Sequence, residues 1–180
     1  MSELVVRTAR PEETEAVGDL TVTGYDVEGY LTLPDGRFDD HYAGFLRDAA
    51  ARARDAVLQV AVDAGSGALL GTITWCPPGS PFRELGRHDH QGEIRTLSVA
   101  PEARGRGVGS ALVDWCLDEA RRTGLTEIVL SSLPVMHAAH RLYGSRGFVR
   151  RPDLDWSPFP DVPLWGFSLD LAPGAGTVSP

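Results

Sequence analysis

The sequence predicts an α/β fold, a mixed sheet of six or seven strands with helices on its faces. Three observations carry this. The chain has 180 residues, 42% hydrophobic and 23% charged, which is enough apolar material for a packed core and too little charge for a disordered chain. In the first half, two apolar runs flank a five-residue turn cluster, the signature of a hairpin. From residue 93 onward, β-type runs alternate with helical patterns, as in βα units.

The elements follow in order. Leu4 to Ala9 alternates apolar and polar positions and predicts a first strand; Pro11, Glu12 and Glu13 then suit a helix start, with proline in the first turn and acids at the positive end of the dipole. Gly24, Gly29, Pro34 and Gly36 make residues 21–37 a loop or broken helix, and Asp39 to about Arg54 a second helix. The runs 56–62 and 68–75, joined by Asp63-Ala64-Gly65-Ser66-Gly67, predict an antiparallel hairpin. A Pro/Gly loop over 77–91 leads to a strand from Glu93 to Val99. The following helix has an apolar face of Val108, Ala111, Leu112, Trp115, Cys116 and Ala120, blemished by Glu119 and stopped by Gly124. Residues 127–132 form the next strand, Met136 to Arg146 a short helix, Phe148 to Arg150 the start of a strand, and 164–171 the last one. Residues 1–171 read as one domain, and 172–180 as a flexible tail.

Composition excludes whole chemistries. All 17 basic residues are arginine. Without lysine there is no Walker lysine, no kinase strand lysine and no Schiff-base amine. A net charge of -8 argues against a nucleic-acid partner. Two cysteines, Cys76 and Cys116, build neither a disulfide framework nor a thiolate zinc site, and His88-Asp89-His90 reads as a polar loop, so no metal is expected. With no apolar run long enough to span a bilayer and no signal segment, the expected location is the cytoplasm, without membrane attachment.

The informative segment is Val99 to Ser110, where a strand end passes through a glycine-dense turn into a helix. Gly105, Gly107 and Gly109 allow backbone amides to approach a ligand closely, and the helix start adds unpaired N–H groups, which together cradle a diphosphate. A dinucleotide fingerprint fits poorly. Five residues, Ala100 to Arg104, separate strand and first glycine, and the third glycine position is Ser110.

Arg104-Gly105-Arg106-Gly107-Val108-Gly109 resembles the acetyl-CoA pyrophosphate loop of the GNAT-type N-acetyltransferase superfamily. Ala139-His140-Arg141-Leu142-Tyr143, followed by Gly147-Phe148, resembles its second block in the right order and spacing. The resemblance spans about residues 93–150. It implies a mostly antiparallel sheet in the order β-α-α-β-β-β-α-β-α-β-β with helices on both faces, and acetyl transfer from acetyl-CoA to a primary amine by direct attack in a ternary complex.

The same resemblance implies roles for individual residues. Leu97, Ser98 and Val99 would offer backbone groups to the pantetheine arm, with the Val99 amide donating to the thioester oxygen. Arg104, Gly105, Arg106, Gly107, Val108, Gly109 and Ser110 would hold the pyrophosphate. Tyr143 would be the general acid; its competing reading is a core tyrosine. Glu93 would be the general base, sharing one face with Arg95, Leu97 and Val99 if no bulge intervenes; its competing reading is a strand-end ion pair. Met136 departs from the family, which often has asparagine there, and offers packing only.

The acceptor, a small-molecule or peptide amine, would be chosen by residues 21–40 and 152–163, where Tyr25, Asp26, Glu28 and Tyr30 could meet a cation. Polyamine, antibiotic, amino acid and protein N-terminus all stay open, as does a homodimer, which is common among similar proteins. A non-catalytic acyl-CoA sensor and a nucleotide-dependent oxidoreductase are the alternatives from other classes.

Overall fold

A computed structural model describes residues 3–159 and 162–171; the expected tail over 172–180 lies outside them. Seven strands, β1 (Leu4–Thr8), β2 (Val57–Asp63), β3 (Leu69–Cys76), β4 (Gln91–Val99), β5 (Glu127–Ser132), β6 (Val149–Arg150) and β7 (Trp165–Asp170), form one sheet in the order β1-β2-β3-β4-β5-β7-β6. Every neighbouring pair is antiparallel except β4 and β5. Helices α1 (Thr14–Asp26), α2 (Asp40–Arg47) and α3 (Ala49–Asp55) cover one face, and α4 (Val108–Arg122) and α5 (His137–Ser145) the other. Buried apolar side chains form a large cluster under α4 and two smaller ones under α1 to α3.

The elements differ from the sequence reading in four places. Helix α1 continues through 21–26, because Gly24 is the contact point with β4: a Cβ there would lie 2.1 Å from Ser98 Oγ. The glycine serves close packing and does not break the helix. The expected second helix is two helices, divided at Asp48 (φ -75°, ψ 66°), whose carboxylate accepts from the Ala51 amide and caps α3. Helix α4 buries Val113 and Leu117 beside Leu112, Cys116 and Ala120, while Ala111 and Trp115 are only half-buried; a helix lying across a twisted sheet buries a wider stripe than the sequence reading assigned. Glu119 sits at the stripe's edge, bound to Arg122.

The fourth difference concerns β4. Its pairing with β3 moves from Thr72↔Ser98 to Thr74↔Arg95, so β4 holds one extra residue, and Thr96 takes φ 49°, the one left-handed non-glycine among the described residues. This is a bulge, and it reverses the side-chain alternation beyond it. Leu97 and Val99 pack toward the α4 core, whereas the Arg95 guanidinium lies over Phe45 of α2. The expected common face for Glu93, Arg95, Leu97 and Val99 is therefore not formed.

Candidate active site

Strands β4 and β5 pair for four residues, Gln91↔Glu127 to Ile94↔Leu130, and then separate. Beyond Ile94 the β4 edge facing β5 is unpaired, and a cavity of about 440 Å³ opens in the gap. The bulge belongs to this split, since it turns the strand where the two diverge. The cavity floor is β4 from Arg95 to Val99, and its far wall is Ser131, Ser132, Ala139, Leu142 and Tyr143.

Its end wall is the glycine turn. Gly105 (φ 72°) and Gly107 (φ 79°) are left-handed, with no atom within 4 Å of where a Cβ would stand, so their backbone is open. Gly107 is also the N-cap of α4, and no side chain caps that helix. The first intrahelical bond runs from the Ala111 amide to Gly107 O, so the amides before Ala111 lack helical acceptors. An uncapped helix start behind a bare glycine turn suits an anionic ligand.

The structure sorts the sequence-predicted residues. Leu97, Ser98, Val99, Arg104, Gly105, Gly107, Val108, Gly109, Ser110 and Tyr143 line the cavity. Arg104 lies at its rim, paired with Glu28 and donating to Gly24 O at 3.3 Å. Arg106 is not in the lining and sits 3.6 Å from Asp63. Tyr143 is 6% exposed, packed on the rings of Phe148 and Phe167, and its hydroxyl has no hydrogen-bond partner among the described residues. Burial pushes its pKa above the ordinary tyrosine value, so it holds its proton at neutral pH.

Glu93 does not reach the cavity. Its side chain is fully buried, and Oε2 accepts from the amides of Glu84, Leu85 and Gly86 at 2.8, 2.9 and 2.9 Å. Burial raises its pKa against the lowering effect of those amides. It stands before the bulge, with Oε2 anchoring the 84–86 segment and Oε1 buried without a hydrogen-bond partner among the described residues. Both cysteines are buried with raised pKa values, Cys76 to about 12, which makes them poor nucleophiles.

A second cavity, of about 480 Å³, adjoins the first, and Tyr30 and Arg95 line both. Its walls come from residues 29–34, helix α2, and residues 156–159 and 162–164. These are largely the segments the sequence singled out for acceptor choice. Tyr25 is instead a core residue, with its ring against Tyr30 and Tyr42.

The profile described as "Acetyltransferase (GNAT) family" matches residues 23–148. The chain belongs to the GNAT acetyltransferase family. Among similar GNAT structures are an acetyltransferase of Staphylococcus aureus Mu50 (TM-score 0.70, 14% identity, covering 94% of this chain and 99% of that one) and the yncA acetyltransferase of Salmonella typhimurium with its cofactor acetyl-CoA (TM-score 0.64, 21% identity, covering 99% and 98%). Mycothiol acetyltransferase of Geodermatophilus obscurus is 39% identical over 81 residues, 44% of this chain and 25% of that protein. N-acetyltransferase family 8 member 3 of Rattus norvegicus is 35% identical over 82 residues, 46% and 34% respectively. The matches thus span a quarter to a third of these two relatives' own lengths.

Two features of this GNAT chain lie outside the residues the sequence assigned to the site. Arg52, fully buried, donates to Thr74 Oγ1 and Thr96 Oγ1 (both 3.2 Å), Thr21 Oγ1 (3.1 Å) and Leu46 O (2.7 Å). Burial lowers its pKa to about 10, which still leaves it charged at neutral pH. The available signal was Arg52 set among the alanines of α3, on a segment that precedes strands carrying threonines. The other feature is His140, whose Nε2 lies 3.1 Å from Ser132 Oγ on the cavity wall, with its ring stacked on Trp165. Among the described residues, no group of three or more His, Cys, Asp or Glu is disposed to hold a metal ion, and no helix is long and apolar enough to cross a membrane.

Proposed function

We propose that this GNAT chain transfers the acetyl group of acetyl-CoA to the nitrogen of an amine by direct attack in a ternary complex, in the cytoplasm. One observation carries the reading: the uncapped glycine turn, the unpaired β4 edge and Tyr143 all face a single cavity. Acetyl-CoA supplies an activated acyl thioester; the chain's residues hold it, orient it and manage protons. The bare turn at Gly105 and Gly107 fits the diphosphate, with Val108, Gly109 and Ser110 adding helix-start amides and Arg104 a charge at the rim. Arg106, held at Asp63, contributes at longer range. The β4 edge at Leu97, Ser98 and Val99 suits the pantetheine arm. An aimed Val99 N–H near the growing oxygen charge would contribute about 3 kcal/mol to the transition state.

Tyr143 is the proton donor to the departing thiolate in this reading. Its raised pKa keeps the hydroxyl protonated at neutral pH, so the proton is in place when the thiolate departs. Glu93 enters as the residue that holds the 84–86 segment. Arrival of a donor tyrosine at the cavity favours an enzyme over a binding module. Titration calorimetry with acetyl-CoA tests the cleft, and thiol release across an amine panel tests the reaction; binding without release for any amine would leave only a sensor. Gel filtration reads whether it works as a homodimer.

A further inference from the structure

The second cavity differs from the first in chemistry. Its walls are mostly apolar and aromatic, with Tyr42 and Phe45 stacked at 5.9 Å on one side and Trp156 and Phe159 among the residues opposite. Its size suits a small molecule with one ring or a branched chain. A polyamine or an aminoglycoside would strand several ammonium groups against such walls, at a large desolvation cost.

The polar groups are few and unequal. Asp39 is committed to capping α2, accepting from the Tyr42 amide at 2.9 Å. His41 lies against Phe159. Arg95, 19% exposed, stands where the two cavities meet. One of its amino groups donates to Phe82 O at 2.6 Å and lies 3.6 Å from Glu84 Oε1. Its Nε and Nη2 have no hydrogen-bond partner among the described residues and are not sealed from solvent. A fixed guanidinium with spare donors at the approach to the thioester opposes a bare ammonium and suits a carboxylate next to the reacting nitrogen. Glu84, whose side chain also lines this cavity, pairs with Arg95 through the amino group that donates to Phe82 O, which leaves Nε and Nη2 to a ligand.

We propose that the acceptor is an apolar α-amino acid, its side chain in the second cavity and its carboxylate on the free edge of Arg95. This rests on the acetyltransferase reading above and narrows its substrate. In the reaction the amino nitrogen bonds to the acetyl carbon as the carbon–sulfur bond breaks, one proton leaves the nitrogen for solvent, and the thiolate departs as the thiol after taking a proton. Arg95 is a specificity residue here and exchanges no proton.

The test is a thiol-release comparison of phenylalanine, phenethylamine, alanine and spermidine, with acetyl-CoA binding followed separately by calorimetry. Phenylalanine should exceed phenethylamine, which shares its ring and lacks the carboxylate, by about tenfold or more in kcat/KM. It should exceed alanine and spermidine as well. In Arg95→Gln the phenylalanine to phenethylamine ratio should collapse toward one. A loss that strikes both substrates equally would overturn the carboxylate contact. Val135→Asp, at a 59% exposed position on the cavity wall where folding is not at stake, should raise KM for phenylalanine; an unchanged KM would remove the apolar subsite. Spermidine as the best acceptor, or no turnover of either aromatic amine while acetyl-CoA binds, would sink this inference and leave the cofactor reading standing. Absence of acetyl-CoA binding would end both.

Discussion

Two residues in this protein illustrate how burial and partners decide chemistry. Tyr143 and Glu93 are both buried, and burial raises the pKa of both. The tyrosine hydroxyl is unpartnered beside the cavity, whereas the carboxylate lies away from it, one oxygen accepting from three amides. Tyr143→Phe should therefore lower kcat about 10²- to 10⁴-fold while calorimetry finds acetyl-CoA binding retained. An undiminished kcat would take the proton-donor role away from Tyr143. For Glu93 the expectation is different. Glu93→Gln keeps an oxygen for the amides, so the acidic limb of the pH–rate profile should persist and stability should change by about 1 kcal/mol. Glu93→Ala strands the three amides and should cost about 3 kcal/mol or more in denaturant unfolding. Disappearance of the acidic limb in the glutamine variant would return the base role to this residue.

At the scale of elements, β4 is the critical piece, because its bulge turns Leu97 and Val99 toward the α4 core where the strand parts from β5. A β-branched residue at φ 49° is costly, and the surroundings must impose it. Thr96 is held by Arg52 and by a 2.5 Å hydroxyl contact with Thr74, and Arg52 itself is tied to α1 and to the end of α2. Arg52→Met would fill the volume but leave Thr21 Oγ1 and Leu46 O without this donor and Thr74 and Thr96 with only each other. A stability loss of about 2 to 4 kcal/mol is expected, with weakened acetyl-CoA binding as the bulge relaxes. Thermal unfolding and calorimetry on the same variant would check both; a stability loss with unaltered affinity would separate Arg52 from the site. Gly24→Ala acts on the same strand from α1. Its methyl group collides with Ser98 Oγ, so helix and strand must part, at about 1 to 3 kcal/mol.

At the scale of the whole molecule, the two cavities meet at Tyr30 and Arg95, so the glycine-turn cavity and the apolar pocket share one boundary. The pH response includes a contribution from the α5 side. His140, packed on Trp165 and Phe167, has its pKa lowered by burial and then by His137, below the ordinary 6.5. The unfolded chain then takes up this proton first, so the stability contribution is complete above pH 6.5 and disappears as pH falls through the folded value. Urea unfolding should show a midpoint that declines from pH 7.5 to 5.5, and His140→Gln should flatten the decline. Most of the architecture was legible in the residues: the hairpin, the β-to-helix passage through the glycine turn, and the second block with its Gly-Phe strand start are local patterns of apolar period and backbone freedom. They determined the strand and helix order and the resemblance to the GNAT family. The length of α1, the bulge at Thr96, the burial of Glu93 under three amides and the pairing of Arg95 with an apolar pocket were decided only in the tertiary structure. Each depends on groups far apart in the chain, such as Gly24 with Ser98 or Arg52 with Thr96, and a period of 2 or 3.6 carries no record of what a side chain meets across a sheet.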